Sequence, residues 1–163
     1  MTTTAINNKQ FMTSEQLLEH WQGHRNLTRR VIEVFPEKEL FEFSIGGMRP
    51  FAKLAVELMS IGGPALKGIV EKNMEGYNEE GFNPTTKAEL LKKWDEETEV
   101  INHYFAQISE ERLQETFNLF GQYEFPVYQN ILYFVDNEIH HRGQGYVYLR
   151  ALGMEPPFFW ERF

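Results

Sequence analysis

The stretch that decides the fold is Tyr128–Gly153, YQNILYFVDNEIHHRGQGYVYLRALG, which has the spacing of one long helix. An apolar stripe follows one face of this helix, and it consists of Ile131, Phe134, Tyr148 and Leu152. The positions that continue the stripe through its middle are Asn137 or Glu138, then His141, then Gly145. Burying an amide, a carboxylate or an imidazole is costly unless each group finds a partner. The pattern therefore predicts a functional site inside the protein, where Asn137 or Glu138 can share one ion with His141.

A first helix is predicted further towards the N-terminus, and its core-facing stripe also has a polar middle. The capping-box pattern of Thr13 and Gln16 marks its start, and Pro36 marks its end. The apolar positions of the stripe are Leu17, Trp21, Val31 and Phe35, and the polar positions between them are His24 and Thr28. We expect His24 to face the interior, at the polar centre of this stripe.

Two more amphipathic helices are predicted between these. One follows Pro50 and directs Phe51, Leu54, Leu58 and Ile61 inward, and Gly62-Gly63-Pro64 should kink or interrupt it. The other starts at the capping box of Thr86 and Glu89 and runs to about Ile108, with Leu90, Trp94, Ile101, Phe105 and Ile108 inward. Its acidic residues Asp95, Glu96, Glu97 and Glu99 mostly mark a solvated face.

The remaining segments predict connections and chain ends. Ser109–Gln114 suggests a short turn of helix, Pro126 opens the last helix, and Gly153 followed by Pro156-Pro157 closes it. No series of strands with hairpin turns is recognisable. Four amphipathic helices predict an all-α four-helix bundle in a single domain, residues 1–163. Residues 1–12 are predicted to form a loosely ordered arm, and residues 158–163 an aromatic tail that should be buried by the bundle or by a second chain.

Composition excludes several classes of function. The 163 residues include no cysteine, so disulfides, thiolate metal ligands and a cysteine nucleophile are excluded. A net charge of −8 opposes nucleic-acid binding, because basic residues cluster only at Arg25, Arg29 and Arg30. No apolar run approaches the length of a membrane span, and the first residues lack the apolar core of a signal peptide. We therefore expect a soluble cytoplasmic protein that binds neither nucleic acid nor membranes.

The run HHRGQGYVYLRALG, residues 140–153, resembles the signature of the DinB family, and RPFAKLAVEL on the second predicted helix resembles it less specifically. DinB-like proteins are four-helix bundles of up-down-down-up topology and include mycothiol- and bacillithiol-dependent enzymes. The resemblance implies a homodimer and a divalent metal ion, nickel or zinc. In the family this ion is held by one residue of the second helix and two residues of the fourth helix, four positions apart, and all three are often histidine.

Carried over to this chain, the family pattern places His141 on the last histidine, Asn137 four residues before it, and Glu57 on the second helix. Only one of the three histidines is therefore present. Glu138 can replace Asn137 as a ligand, and His24 can supply a missing imidazole. The resemblance then implies a metal-dependent enzyme that transfers a low-molecular-weight thiol, or hydrolyses a small-molecule substrate. In that enzyme His24 would carry protons beside the ion.

Each candidate also has a structural interpretation without a metal. His141 can be a hydrogen-bonded core histidine, and Asn137 can bridge two helices through its amide. Glu57 lies four residues after Lys53, and Glu138 four before Arg142, so each carboxylate can form an ordinary helical ion pair. These interpretations together predict a noncatalytic, stress-related binding protein with a metal-free polar cluster in its core.

Overall fold

The computed structural model describes residues 10–73 and 78–163, so most of the predicted N-terminal arm at residues 1–12 lies outside the described residues. The elements in chain order are α1 Ser14–Val34, α2 Glu37–Glu42, α3 Phe51–Glu71, α4 Lys87–Phe105, α5 Glu110–Gln114, β1 Thr116–Leu119, β2 Tyr123–Pro126 and α6 Val127–Ala151. Helices α1 and α3 each pack against both α4 and α6. The predicted four-helix bundle is confirmed, with α1 and α3 on one diagonal and α4 and α6 on the other.

Local signals in the sequence determine where the long helices begin. Gln16 donates its backbone N–H to Thr13 Oγ1 at 3.1 Å, and Gln16 Oε1 accepts the Thr13 N–H at 3.0 Å. The matching capping box of Thr86 and Glu89 opens α4. Because both boxes satisfy N–H groups that the first turn of a helix leaves unpaired, both predicted starts are confirmed. Helix α6 starts directly after Pro126, as predicted.

Helix α3 continues through Pro64, so the predicted interruption does not occur. The alternative, a kink at this position, stays a prediction. The two glycines before Pro64 instead permit close packing. A Cβ at position 62 would lie 3.1 Å from the Trp21 ring, and one at position 63 would collide with Glu97 Oε2. Contacts with α1 and α4 on both sides hold this part of α3 in helical form.

Glu97 is buried at 8% exposure, whereas the sequence pattern assigned it to the solvated face of α4. Its Oε1 pairs with Lys93 at 2.9 Å, and its Oε2 is buried with no hydrogen-bond partner among the described residues. The glycine at position 63 leaves the space that this carboxylate occupies.

The sequence interpretation also missed a β-hairpin between α5 and α6. Strands β1 and β2 pair antiparallel, and the turn between them has positive φ at Phe120 and Gly121. Asn130 of α6 donates to the carbonyls of Phe117 and Phe125, which fixes the hairpin to the bundle. The alternation of polar and apolar residues in Thr116–Leu119, before the Phe-Gly pair, was the available signal.

The core consists of two apolar clusters separated by a polar layer. One cluster contains Trp21 and Phe134, and the other contains Phe35 and Tyr148. Between them along α1 and α6, six buried polar side chains are His24, Arg25, Thr28, Glu138, His141 and Arg142. The predicted polar middle of both helix stripes is therefore confirmed. None of the helices in the described residues is both long enough and apolar enough to span a bilayer.

The aromatic tail is not buried by its own bundle. Phe158, Phe159, Trp160 and Phe163 are from 49% to 84% exposed, and the rings of Phe158 and Trp160 stack on each other 4.9 Å apart. Burial of the tail by its own bundle is therefore excluded. Burial by a second chain stays a prediction. The tail is nevertheless attached to α1, because Arg162 binds His24 at 2.9 Å.

Candidate functional site

The centre of the candidate site is a carboxylate–imidazole pair that joins α3 to α6. His141 Nε2 lies 3.0 Å from Glu57 Oε1, and Asn137 Nδ2 donates to the same oxygen at 3.4 Å. Arg49 donates to Glu57 Oε2, and His141 Nδ1 lies 3.3 Å from Gln144 Oε1. The structure thus brings together Glu57, Asn137 and His141, the three residues that the family pattern placed on the metal positions.

The charge of this pair follows from its hydrogen bonds. Burial raises the pKa of Glu57, but hydrogen bonds and charge from His141 and Arg49 outweigh burial and lower that pKa to about 2. Glu57 is therefore ionised at neutral pH. The ion pair with Lys53 that the sequence allowed is replaced, since Lys53 instead donates to Asn83 at 3.4 Å.

Glu57 opens onto a cleft of about 650 Å³ between α3, α6 and the hairpin. Its other lining residues are Arg49, Ile61, Glu79, Phe120, Gln122, Tyr123 and Tyr133. The rings of Tyr123 and Tyr133 stack with their centroids 6.3 Å apart. Burial, the neighbouring Tyr123 and the charge of Glu57 all raise the pKa of Tyr133, so its hydroxyl stays protonated. Sequence reasoning missed both tyrosines because the hairpin that brings Tyr123 to α6 was missed.

Glu138 belongs to a second polar cluster, on the α1 side of α6. Thr28 donates its hydroxyl to Glu138 Oε1 at 2.7 Å, and Arg142 donates to Thr28 Oγ1 at 3.2 Å. Burial raises the pKa of Glu138, against the opposing effect of Arg25, Thr28 and Arg142. The interpretation that Glu138 acts with Glu57 and His141 is not supported, because its hydrogen bond turns it towards α1. Its predicted association with Arg142 is present as a charge interaction.

His24 also lies in the second cluster, between two arginines. Arg142 Nη2 lies 2.9 Å from His24 Nδ1, and Arg162 Nη1 lies 2.9 Å from His24 Nε2. Burial lowers the pKa of His24, and the charges of both arginines lower it further, to about 3. A ring that is neutral at pH 7 and faces a guanidinium group at each nitrogen does not suit the predicted role of proton carrier.

Sequence reasoning overlooked Arg25, which it counted among the surface basic residues. Arg25 is 1% exposed and donates to the carbonyl of Trp94 at 3.1 Å and to Thr98 Oγ1 at 3.0 Å. Its guanidinium also lies 4.2 Å from the centroid of the Trp94 ring. The signal was its spacing, four residues after Trp21 and three before Thr28, on the edge of the inward stripe.

The donors at Glu57 do not fit a catalytic ion with three protein ligands. Within residues 10–73 and 78–163, no three side chains of His, Cys, Asp or Glu come together as a metal cluster. Glu57 and His141 supply one strong donor each, while a neutral amide at Asn137 is a weak ligand for zinc or nickel. The Arg49 guanidinium on the second oxygen of Glu57 adds a positive charge that opposes a cation.

Comparisons with known proteins agree with this architecture. The sequence profile of the DinB family matches residues 1–162. The crystal structure of a DinB-like protein from Bacillus cereus has a TM-score of 0.72 and 17% identity, covering 88% of this chain and 95% of that chain. A DinB-like protein from Bacillus subtilis has a TM-score of 0.70 and 21% identity, covering 88% of this chain and 97% of that chain. No curated protein matches the chain.

Proposed function

The chain belongs to the DinB family, and from that premise we propose that it binds a small organic cation with an apolar or aromatic body in the cleft beside Glu57. The observation that carries this proposal is the position of an ionised carboxylate, held by His141 and Arg49, in the wall of a cleft with stacked tyrosines. The proposed function requires neither nucleic acid nor a membrane as partner.

The charge of the cleft favours a cationic group. Glu57 and Glu79 carry two negative charges, and Arg49, which pairs with both, carries one positive charge. An ammonium group donates hydrogen bonds and suits a carboxylate acceptor, and such charge-assisted bonds are stronger than neutral ones. A carboxylate ligand would instead meet the negative charge of Glu57.

The walls of the cleft favour an apolar body on that ligand. Tyr123 and Tyr133 offer ring faces, which attract both aromatic groups and cations. A volume of about 650 Å³ lies within the usual range of small-molecule sites. The three elements that form the cleft are held together by the bonds of Asn130 to the hairpin and of His141 to α3.

Binding without turnover accounts for the chemistry of Glu57 better than general-base catalysis does. A carboxylate with a pKa of about 2 takes up a proton from water or a thiol only weakly at neutral pH. The proposal is therefore the metal-free alternative of a noncatalytic binding protein. The metal-dependent transferase or hydrolase stays a prediction, which the zinc titration described in the Discussion tests.

The experiment is an isothermal titration of the full chain with benzylamine, and with benzoate as a probe of similar size and opposite charge. Benzylamine should bind and benzoate should not. Glu57→Gln should weaken benzylamine binding by more than about tenfold, equivalent to about 1.4 kcal/mol. Tyr123→Ala should also weaken it, because the ring face is lost while the charge of Glu57 remains.

Glu99→Gln is the matched control, because it removes the same charge from an exposed position on α4. It should bind benzylamine like the wild-type chain. Equal affinity of wild type and Glu57→Gln for benzylamine, or preferential binding of benzoate, would contradict the proposal.

A further inference from the structure

A second cavity lies between α3 and α4, away from the carboxylate of Glu57. It has a volume of about 370 Å³, within the usual range of small-molecule sites. Ser60, Gly63 and Pro64 of α3 line it together with Glu97 of α4. Among the described residues, only Phe120 lines both this cavity and the cleft beside Glu57. What the second cavity binds is therefore a separate question from the function proposed for the first.

Glu97 brings a buried carboxylate oxygen to this cavity. The residue is 8% exposed, and its Oε1 pairs with Lys93 at 2.9 Å. None of the described residues donates a hydrogen bond to its Oε2. A Cβ at position 63 would collide with Oε2, so this oxygen lies against Gly63 in the wall of the cavity. A buried carboxylate oxygen without a donor is costly, which indicates that a donor from outside the chain belongs here.

Ser60 adds two more acceptor oxygens to the same wall. Its hydroxyl donates to the Val56 carbonyl at 2.8 Å, so the hydroxyl oxygen can only accept a further hydrogen bond. Its backbone carbonyl would normally accept the N–H four residues later in the helix, but that residue is Pro64, which has no N–H. These oxygens belong to α3 and Glu97 Oε2 to α4, and the two helices pack against each other. The wall therefore favours a ligand that donates hydrogen bonds in more than one direction.

We propose that this cavity binds a small guanidinium compound, independently of the ligand in the cleft beside Glu57. A guanidinium group carries several N–H donors in a planar fork and accepts no hydrogen bond, which matches a wall of acceptors on two helices. Its positive charge matches the carboxylates of Glu97 and Glu71. Lys67 also lines the cavity, but it is exposed, so water screens its charge.

A metal ion matches this wall less well than a guanidinium group. No three side chains of His, Cys, Asp or Glu come together as a metal cluster in the described ranges 10–73 and 78–163. The Lys93 ammonium on the other oxygen of Glu97 also opposes the concentrated charge of a divalent ion. Calcium is therefore a contrasting probe in the experiment.

The test is an NMR titration of the isotope-labelled full chain with methylguanidinium chloride. The backbone amide signals of Gly63 and Gly68, which line the cavity, should shift and saturate. Glu97→Gln keeps the size of the side chain but removes its charge, so it should weaken binding by more than about tenfold. Lys93→Gln is the matched control, because it removes the same ion pair and leaves the Glu97 carboxylate in place. It should bind methylguanidinium at least as tightly as the wild-type chain.

Pro64→Ala separates ligand binding from a purely structural role. It restores an N–H to the Ser60 carbonyl, so thermal unfolding should show an equal or higher melting temperature. The restored hydrogen bond occupies one acceptor of the wall, so methylguanidinium should bind this variant more weakly. Tetramethylammonium, which has the same charge but no N–H, should leave the signals of Gly63 and Gly68 unchanged in the wild-type chain.

Unchanged glycine signals in the wild-type chain would overturn the proposal and leave water as the partner of Glu97 Oε2. Equal affinity of wild type and a folded Glu97→Gln chain would overturn it too, as would tighter binding of calcium or tetramethylammonium. If Glu97→Gln does not fold, Pro64→Ala decides, and undiminished binding by that variant contradicts the proposal. Glu57→Gln should bind methylguanidinium like wild type, and a loss of binding there would place the ligand in the other cleft instead.

Discussion

The ring of Phe51 on α3 lies where a side chain at position 145 of α6 would begin. A Cβ at Gly145 would be 2.5 Å from Phe51 Cε2, closer than such atoms approach. The absence of a side chain at this position therefore sets the distance between α3 and α6. Gly145 is one helical turn from His141, so the same close approach brings His141 within hydrogen-bond distance of Glu57.

Substituting Gly145→Ala should destabilise the fold, because Phe51 is fully buried and has little space to move. Overpacking of this kind costs about 1–3 kcal/mol, which urea unfolding can measure. Gly143→Ala is the matched control on the same helix. It should be neutral or stabilising, since a Cβ there meets nothing within 4 Å. Equal destabilisation by both variants would contradict this account.

Restoring a histidine at position 137 should create a metal site. Asn137 already contacts Glu57 Oε1, so an imidazole there would complete two nitrogen donors and one carboxylate. Zinc binding by Asn137→His should be tighter than that of wild type by more than about tenfold, equivalent to about 1.4 kcal/mol. Isothermal titration with zinc, without an affinity tag, measures this difference.

Gln129→His is the control for the zinc experiment, because it adds an imidazole to an exposed position of α6 away from Glu57. It should bind zinc no better than wild type. Tight zinc binding by the wild-type chain that His141→Ala abolishes would instead support the metal-dependent enzyme predicted from the family resemblance.

Acid should remove part of the stability that Glu57 contributes. The pKa of Glu57 is lowered in the folded chain from 4.5 to about 2, so the folded state binds its proton less readily than the unfolded state. Its contribution is complete above pH 4.5 and is lost as the pH falls through about 2. Glu57→Gln should reduce the loss of unfolding free energy over this range by about 1–3 kcal/mol. Glu99→Gln should retain the wild-type slope.

The tail should contribute to the low pKa of His24. Arg162 and Arg142 both lower the pKa of His24, after the larger effect of burial, to about 3. Arg162→Gln removes one of the two charges and should raise this pKa towards 6.5, as measured by the chemical shifts of the imidazole during an NMR titration. Glu161→Gln, in the same exposed tail, should not raise it. An unchanged pKa in Arg162→Gln would show that the tail does not act on α1 in solution.

Much of the bundle could be predicted from sequence because its signals are local. Capping boxes at Thr13 and Thr86 involve residues three apart, and the apolar stripes repeat with the period of the helix. The contact between Glu57 and His141 could be predicted only from the family pattern, which specifies how α3 and α6 face each other. Periodicity along one helix does not show which residues of a second helix it meets.

The features that were missed depend on tertiary contacts. Pro64 is compatible with a continuous helix here because α1 and α4 pack against the adjoining glycines. Glu97 is buried because Gly63, on another helix, leaves space for its carboxylate. The separation of Glu138 from His141 follows from their angular offset on α6, which directs one to Thr28 and the other to Glu57. The spacing of Glu138 and His141 along α6 allowed both to bind one ion. The positions of α1 and α3 direct the two side chains to different partners instead.

The position of His24 between two guanidinium groups also has a consequence for the end of the chain. A neutral imidazole has one N–H and one lone pair, yet Arg142 and Arg162 each direct a donor at one of its nitrogens. The two arginines therefore compete for a single lone pair. When the ring hydrogen is on Nδ1, Arg162 is bound and Arg142 keeps its bonds to the His24 carbonyl and Thr28. When the hydrogen moves to Nε2, the tail loses this acceptor, so the choice of tautomer on α1 determines how firmly the last residues are held.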